Sequence, residues 1–496
     1  MTSGLSTDPL LRETASGSVR GRRMGDSLAW LGLPYAQAAS GPLRFRSPQP
    51  HPGWAGVREA TQFGPDVLQP LDPSVTLRPS AEGSLVLNIW APAGGGPDLP
   101  ETGLPVLLWL HGGAFRAGSG RLYDGSRLAA AGNVVVVTVN SRLGPLGYAN
   151  FGGLYSDERF AHNAGFQDQV AALRWVNANI AAFGGDPGRV TVAGQSAGAV
   201  AVGLLLLHPD ARPLLSGAIM QSGALNQVST WESSLENAHA YADALGIRRE
   251  NLNALWTLPP GAFVAALHTL ERTRPRRLNS RPYLDGGWLP GSVRDLLTAP
   301  SAPVPLLIGA NREESSVFVK LPERVFPRTD RTSLANLLDR WAAPQDVLRI
   351  LSAYPDTQAG LIGLGTDMNF QVPADHFALR HGRGAAVWRY RFDWGTRVLG
   401  LGAAHGTELL FLWPRPLGSA SELFRGPVTS DRTALAQRMQ QAWLRFVRDG
   451  YPGAAWPAAT PERPIEAVFG LGEPPPDEDA PARRQHLWRG LHPLMP

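Results

Sequence analysis

Apolar residues along the 496-residue chain gather into runs of two kinds. Residues 105–110 and 133–139 are continuous apolar or β-branched runs of strand length, and 189–193, 217–221 and 305–308 repeat the pattern. Residues 84–90 look strand-like within a first hundred residues rich in Pro and Gly, and 387–394 alternate like a late strand. Residues 166–183 carry Val170, Leu173, Val176 and Ile180 at helical spacing, and 197–207 and 433–447 also read as helices. Strands buried on both faces that alternate with helices predict a parallel sheet in an α/β fold. From 231 to 285 and from 319 to 385 the pattern turns helical and irregular, which reads as cap insertions. The expectation is one domain over 1–496, with its core at about 1–230, 286–318 and 386–496.

Chemistry in such sheets sits at the carboxyl ends of strands, and the suggestive motifs here all follow strands. Gly194-Gln195-Ser196-Ala197-Gly198 matches G-x-S-x-G between the strand-like 190–193 and the apolar helix from 197. That is the strand–turn–helix setting of a nucleophile elbow. The serine must sit at a strained turn, and the residues two before and two after it must be small because they lie close together. His111-Gly112-Gly113-Ala114-Phe115 follows another strand and suits an oxyanion hole, since glycines let backbone N–H donors approach the developing charge. His111 itself reads as structural. The N–H of Ala197, at a helix start, is a further candidate donor.

In this arrangement the order is serine, then acid, then histidine, which disfavours His51, His111 and His162 as base. His208, His239 and His268 lie in or beside helical patterns, and His376, His381, His486 and His492 have ordinary surroundings. His405 lies in a loop of small residues, Gly402-Ala403-Ala404-His405-Gly406, after a strand. The acid should follow a strand end between the two. Residues 305–308 run into Gly309-Ala310-Asn311-Arg312-Glu313-Glu314, and spacing alone does not choose between the adjacent glutamates; one of them reads as a surface charge.

Composition narrows the alternatives. Net charge is +4 and Lys320 is the one lysine, so the basic residues are scattered arginines with no dense run; this argues against a nucleic-acid partner. The chain has no cysteine, which excludes disulfides, thiolate metal sites and cysteine nucleophiles. No His-rich or carboxylate-rich ligand spacing suggests a metal, and the chemistry requires no cofactor. The first eleven residues lack a signal-peptide pattern and the apolar stretch 199–207 is too short to span a bilayer, so a cytoplasmic protein is expected.

Taken together these residues resemble the type-B carboxylesterases, the group that includes bacterial p-nitrobenzyl esterases and, more distantly, cholinesterases. Trp30-Leu31-Gly32-Leu33-Pro34-Tyr35-Ala36, Leu43-Arg44-Phe45 and Gly165-Phe166-Gln167-Asp168-Gln169 look like stretches of that family. Phe183-Gly184-Gly185-Asp186-Pro187 through the elbow resembles its most specific signature. The resemblance implies the α/β-hydrolase fold and a small-molecule ester as substrate. The family's acid lies in Asn-x-Asp-Glu-Gly, so the similar Asn311-Arg312-Glu313-Glu314-Ser315 implies Glu314, with Ser315 departing from the pattern. His405-Gly406-Thr407-Glu408-Leu409 looks like the family's His-Gly-x-Glu segment and implies His405 as base. Ser196 is then the nucleophile, Gly113, Ala114 and Ala197 the oxyanion donors, and Glu408 and Ser222 residues that support the histidine.

Both ends of a typical family disulfide are replaced, by Val67 and Ser84, and the resemblance pairs Arg44 with Glu82 as a salt bridge. No Trp lies between 67 and 84, where cholinesterases carry the one that binds choline, so esters of neutral alcohols are expected. Phe115, Trp231, Phe318 and Phe411 are expected pocket walls. A non-catalytic binding or adhesion homologue is the rival from another class, and an amide or carbamate hydrolase a second alternative.

Overall fold

The computed structural model describes residues 8–71, 80–94, 103–274, 278–322, 329–340, 342–413, 424, 426–472, 475–477 and 479–489. Among these, ten strands hydrogen-bond into one sheet. In chain order they are β1 (Arg22–Met24), β2 (Ser27–Pro34), β3 (Val86–Pro92), β4 (Leu104–Leu110), β5 (Val135–Val139), β6 (Gly185–Gln195), β7 (Gly217–Gln221), β8 (Leu306–Asn311), β9 (Val387–Phe392) and β10 (Ala467–Phe469). Their spatial order is β10-β9-β8-β7-β6-β4-β5-β3-β2-β1. The run from β10 to β5 pairs in parallel. The other side of the sheet pairs antiparallel, as it must between β1 and β2, where only Gly25 and Asp26 connect the strands.

Period-two alternation explains why the central strands read as unbroken apolar runs. Val106, Leu108 and Leu110 enter the core on one face, and Leu107 and Trp109 the core on the other. Helices α1 (Ala164–Asn179) and α2 (Ala197–Leu207) cover the first face. Every residue of α2 is buried, so it carries no polar stripe. Helices α3 (Trp231–Leu245) and α4 (Pro260–Thr273) pack around a separate cluster with Phe45, Leu146 and Phe151. Further on, α5 (Gln358–Thr366) and α6 (Val372–His381) flank a π-helical turn, Asp367–Gln371. Helix α7 (Ser430–Asp449) covers the second face of the sheet with Leu435, Met439, Trp443 and Phe446.

The Arg44–Glu82 pair implied by the resemblance is present and bidentate, with Arg44 Nη2 2.8 Å from Glu82 Oε2. Arg44 Nη1 also donates to the carbonyls of Leu255 and Leu258, at 2.6 and 2.9 Å, so this one guanidinium ties the N-terminal segment to the α3–α4 region. Near the positions where a disulfide is missing, Val67 pairs with Ala81 in a short parallel ladder, and Ser84 Oγ donates to Pro65 O at 2.6 Å. No helix among the described residues is long and apolar enough to cross a membrane.

Register places the site. Gly194 pairs with Leu110, Gln195 with Gln221, Gln221 with Gly309, and Asn311 with Phe392. The carboxyl ends of five parallel strands therefore stand in a row. His111 to Gly113, Ser196, Ser222 and the two glutamates emerge just beyond them.

Candidate active site

Ser196 has φ 55° and ψ −123° at the junction of β6 and α2. Such a conformation is costly for a non-glycine residue and is kept only where the surroundings enforce it. Its N–H is held by Gln221 O at 2.8 Å on the neighbouring strand. A Cβ on Gly194 would stand 2.5 Å from the backbone of Gly198, and one on Gly198 would overlap Leu110 O at the end of β4, so neither flanking position has room for a side chain.

Ser196 Oγ lies 2.9 Å from His405 Nε2, and His405 Nδ1 lies 2.6 Å from Glu314 Oε2. The pattern fits the tautomer in which Nδ1–H donates to the carboxylate and Ser196 O–H donates to Nε2. Glu314 is fully buried, and its second oxygen accepts the N–H of Asn311 at 2.7 Å, so the turn after β8 folds the carboxylate back over its own strand end. Ser315, where the family pattern has Gly, has φ −76°, needs no glycine, and donates its N–H to Thr366 Oγ1.

Of the two adjacent glutamates the structure brings Glu314 to the histidine. Glu313 is not merely a surface charge: its Oε2 accepts the N–H of Ala403 at 2.7 Å. Glu408 does not touch the imidazole. Its Oε2 accepts from Asn311 Nδ2 at 2.6 Å, and the same nitrogen donates to Ala404 O at 2.6 Å. Burial and the Glu314 charge push the Glu408 carboxyl up to about 7, while Asn311 and His405 pull it down. Burial acts to depress the His405 pKa, but Glu314, by charge and hydrogen bond, and Glu408, by charge, outweigh it and hold the imidazole above the usual histidine value. Ser222 sits at φ 54° with its N–H on Gly309 O at 2.8 Å, and its buried Oγ has no partner among the described residues.

Gly113, Ala114 and Phe115 take φ values of 115°, 54° and 57° in succession. Among the described residues, no acceptor takes the N–H of Gly113, Ala114 or Ala197. Gly112 is held close to the elbow: a Cβ there would stand 3.2 Å from Ser196 Cβ and 2.7 Å from Gln195 Oε1. His111 is buried, with Nδ1 2.8 Å from Gly112 O, and burial lowers its pKa; it shapes the loop as a neutral donor.

The expected walls divide. The Phe318 ring lies 5.9 Å from that of His405, and Phe115 packs edge-on to Tyr148 beside the glycine loop. Trp231 packs on His162 and Tyr283. Phe411 is no wall: it is buried against Phe392 and Trp394 in the core under α7, because the short helix Leu409–Leu412 turns it away from His405. Sequence reasoning missed Phe370, whose ring is 5.0 Å from the imidazole and 6.2 Å from Phe318. It also missed Gln195, whose Nε2 is 3.4 Å from His405 Nε2.

A largely parallel sheet with a strained serine between strand and buried helix, in line with a histidine and a carboxylate, defines the α/β-hydrolase fold and, within it, the serine hydrolases. The carboxylesterase family model matches residues 8–476. The para-nitrobenzyl esterase of Bacillus subtilis (strain 168) is 36% identical over 460 residues, 90% of this chain and 91% of the relative. The fumonisin B1 esterase of Sphingopyxis macrogoltabida is 34% identical over 467 residues, 90% of this chain and 83% of that one. Among solved structures, a thermophilic p-nitrobenzyl esterase superposes with a TM-score of 0.86 at 34% identity, covering 97% of this chain and 100% of that chain. A Geobacillus stearothermophilus carboxylesterase gives 0.83 at 33% identity with the same coverage. The chain belongs to the carboxylesterase family, and it is a carboxylic-ester hydrolase.

Proposed function

We propose that the protein hydrolyses carboxylic esters of neutral alcohols through an acyl-enzyme on Ser196. The observation that carries this reading is the unbroken hydrogen-bonded line from Ser196 through His405 to Glu314, at 2.9 and 2.6 Å. His405 takes the Ser196 proton as Oγ attacks the ester carbonyl, and Glu314 orients the imidazole and stabilises its cation. The N–H groups of Gly113, Ala114 and Ala197 receive the oxyanion. His405 then gives its proton to the leaving alcohol, and water repeats the cycle on the acyl-enzyme. The segments 231–285 and 319–385 act as caps that shape the pocket. The lack of a Trp between 67 and 84 supports neutral over cationic alcohols, and the lack of cysteine suits a reducing compartment such as the cytoplasm.

Ser196→Ala should lower kcat by about 10⁴-fold or more with the fold intact. An organophosphate should label one residue, in the peptide that contains Ser196. Labelling elsewhere, or undiminished turnover in the variant, sinks the assignment of Ser196; an unmodified protein that neither turns over esters nor takes the label favours the non-catalytic rival. Phenyl butyrate should be preferred over butyrylcholine; the reverse preference refutes the neutral-alcohol reading.

A further inference from the structure

We propose that Glu313 is a positioning residue that clamps the loop carrying His405, so that the two adjacent glutamates place the base between them, Glu314 by holding the imidazole and Glu313 by holding the backbone it grows from. The inference rests on His405 being the general base.

Glu313 takes both polar backbone groups of Ala403. Its own N–H donates to Ala403 O at 3.0 Å, and its Oε2 accepts the Ala403 N–H at 2.7 Å. The next residue is caught by the same turn, since Asn311 Nδ2 donates to Ala404 O. The preceding one makes room for it. Gly402 has φ +68°, and a Cβ there would overlap Glu313 Oε2. Glycine at 402 suits the backbone conformation, and it leaves the Glu313 carboxylate in place where a Cβ would displace it. The residues just before His405 are thus fixed from 311–313, the turn that also delivers Glu314.

Glu313 is itself held. Arg312 Nη2 is 3.6 Å from its Oε2, Arg312 Nη1 is 3.7 Å from Asp393, and the Arg312 N–H donates to Phe392 O at 2.9 Å. A hydrogen bond from a backbone N–H to an ionised carboxylate is among the stronger ones available to a loop. The side chain is one methylene longer than the Asp of the family pattern, and the bare Cα of Gly402 is what lets that length fit. Displacing a catalytic group by about 1 Å can cost roughly 10²-fold in rate, and a clamp at Ala403 acts two residues from the imidazole.

The test compares full-length Glu313→Ala and Glu313→Gln on p-nitrophenyl butyrate, with active sites titrated by diethyl p-nitrophenyl phosphate. Glu313→Ala should lose about 10- to 100-fold in kcat with KM within about twofold and a full titre. Glu313→Gln should return to within about threefold of wild type, because its amide oxygen still accepts the Ala403 N–H. Full activity in the Ala variant overturns the proposal. So does an equal loss in the Gln variant, which would make charge the operative property, and so does a loss explained by a reduced titre. Gly402→Ala supplies an independent check: its penalty should shrink in the Glu313→Ala background, where the carboxylate it displaces is gone, and additive penalties count against the clamp. His405→Ala separates the two layers. If it keeps wild-type turnover, the general-base reading itself fails, and the clamp fails with it.

Discussion

Two buried acid–base pairs sit near the carboxyl ends of the strands, and they are built on opposite principles. Arg142 and Asp168 are both fully buried. Arg142 Nε and Nη2 meet the two carboxylate oxygens at 2.8 and 2.6 Å, and the backbone N–H of Arg142 adds a third bond at 2.9 Å. The remaining guanidinium hydrogens go to the carbonyls of Arg44, Arg46 and Ala164. One charge meets one charge and every donor is taken. The His405 cluster is unbalanced: two buried carboxylates, Glu314 and Glu408, face one imidazole, and Glu408 Oε1 has no partner among the described residues. A saturated pair holds segments together. An unbalanced one leaves a proton whose position is decided by small changes, which is what a general base requires.

The sharpest way to break this comparison is to swap charge for neutrality in each pair. Glu314→Gln should reduce kcat by about 10³- to 10⁴-fold, since the amide fails to stabilise the imidazolium and presents the wrong partner to Nδ1. The thermal midpoint should hardly move. Asp168→Ala should do the opposite. It leaves the Arg142 guanidinium buried and unpaired, at a cost of about 3–5 kcal/mol of folding free energy, read as a lower urea midpoint at unchanged slope. The fraction that remains folded should turn over normally. A stable Asp168→Ala enzyme with little activity, or an unstable Glu314→Gln, would show that the two pairs do not divide the labour in this way. Replacing Arg142 and Asp168 together by Met and Leu should cost less than Asp168→Ala alone, because no charge is then stranded.

How far the sequence reaches follows the same division. The elbow was legible because its constraint is steric and falls on two positions beside the serine: Gly194 is packed on the Gly198 backbone and Gly198 on Leu110 O, so both lack room for a side chain, and the flanking strand and helix are strongly apolar. The parallel half of the sheet was legible from runs buried on both faces. The antiparallel half was not read: the Gly25-Asp26 link does encode the β1–β2 hairpin, but nothing in 27–34 or 86–92 encodes that β2 takes β3 and β3 takes β5. Glu314 and Glu313 could not be separated by spacing, because both follow β8 within a few residues. The choice is made by the turn that brings Asn311 N–H onto Glu314 Oε1. Phe411, close to His405 in sequence, points into the opposite core, whereas Phe370, distant in sequence, packs on the imidazole. It is delivered by a π turn, whose i→i+5 bonding has no simple signature in a helical stretch.

The smallest expected effect probes the imbalance itself, through Glu408. Burial, and then the Glu314 charge, push its carboxyl up to about 7. Its charge is felt by the His405 imidazole, so the acid limb of kcat/KM reports the coupled cluster as a whole. His405 must be neutral to act as base, and its raised pKa moves that limb to higher pH than an ordinary histidine would give. Glu408→Gln removes a negative charge that favours the imidazolium. The His405 pKa then falls, and the limb moves to lower pH by less than about one unit. The variant should match wild type near pH 6, where the wild-type carboxyl is itself mostly protonated, and gain on it from about pH 7 upward until both reach the same plateau, since the Gln oxygen still accepts from Asn311 Nδ2. Stability moves in a fixed direction too. An acid whose folded-state pKa lies above its unfolded value binds its proton more tightly when folded, so wild type loses this contribution as pH rises from about 4.5 to about 7. Glu408→Gln should flatten that slope in urea titrations taken across the interval. A limb that stays put while the slope flattens would mean that the Glu408 charge burdens the fold without reaching the imidazole. The imbalance would then be a feature of packing, and the contrast with Arg142 and Asp168 would rest on Glu314 alone.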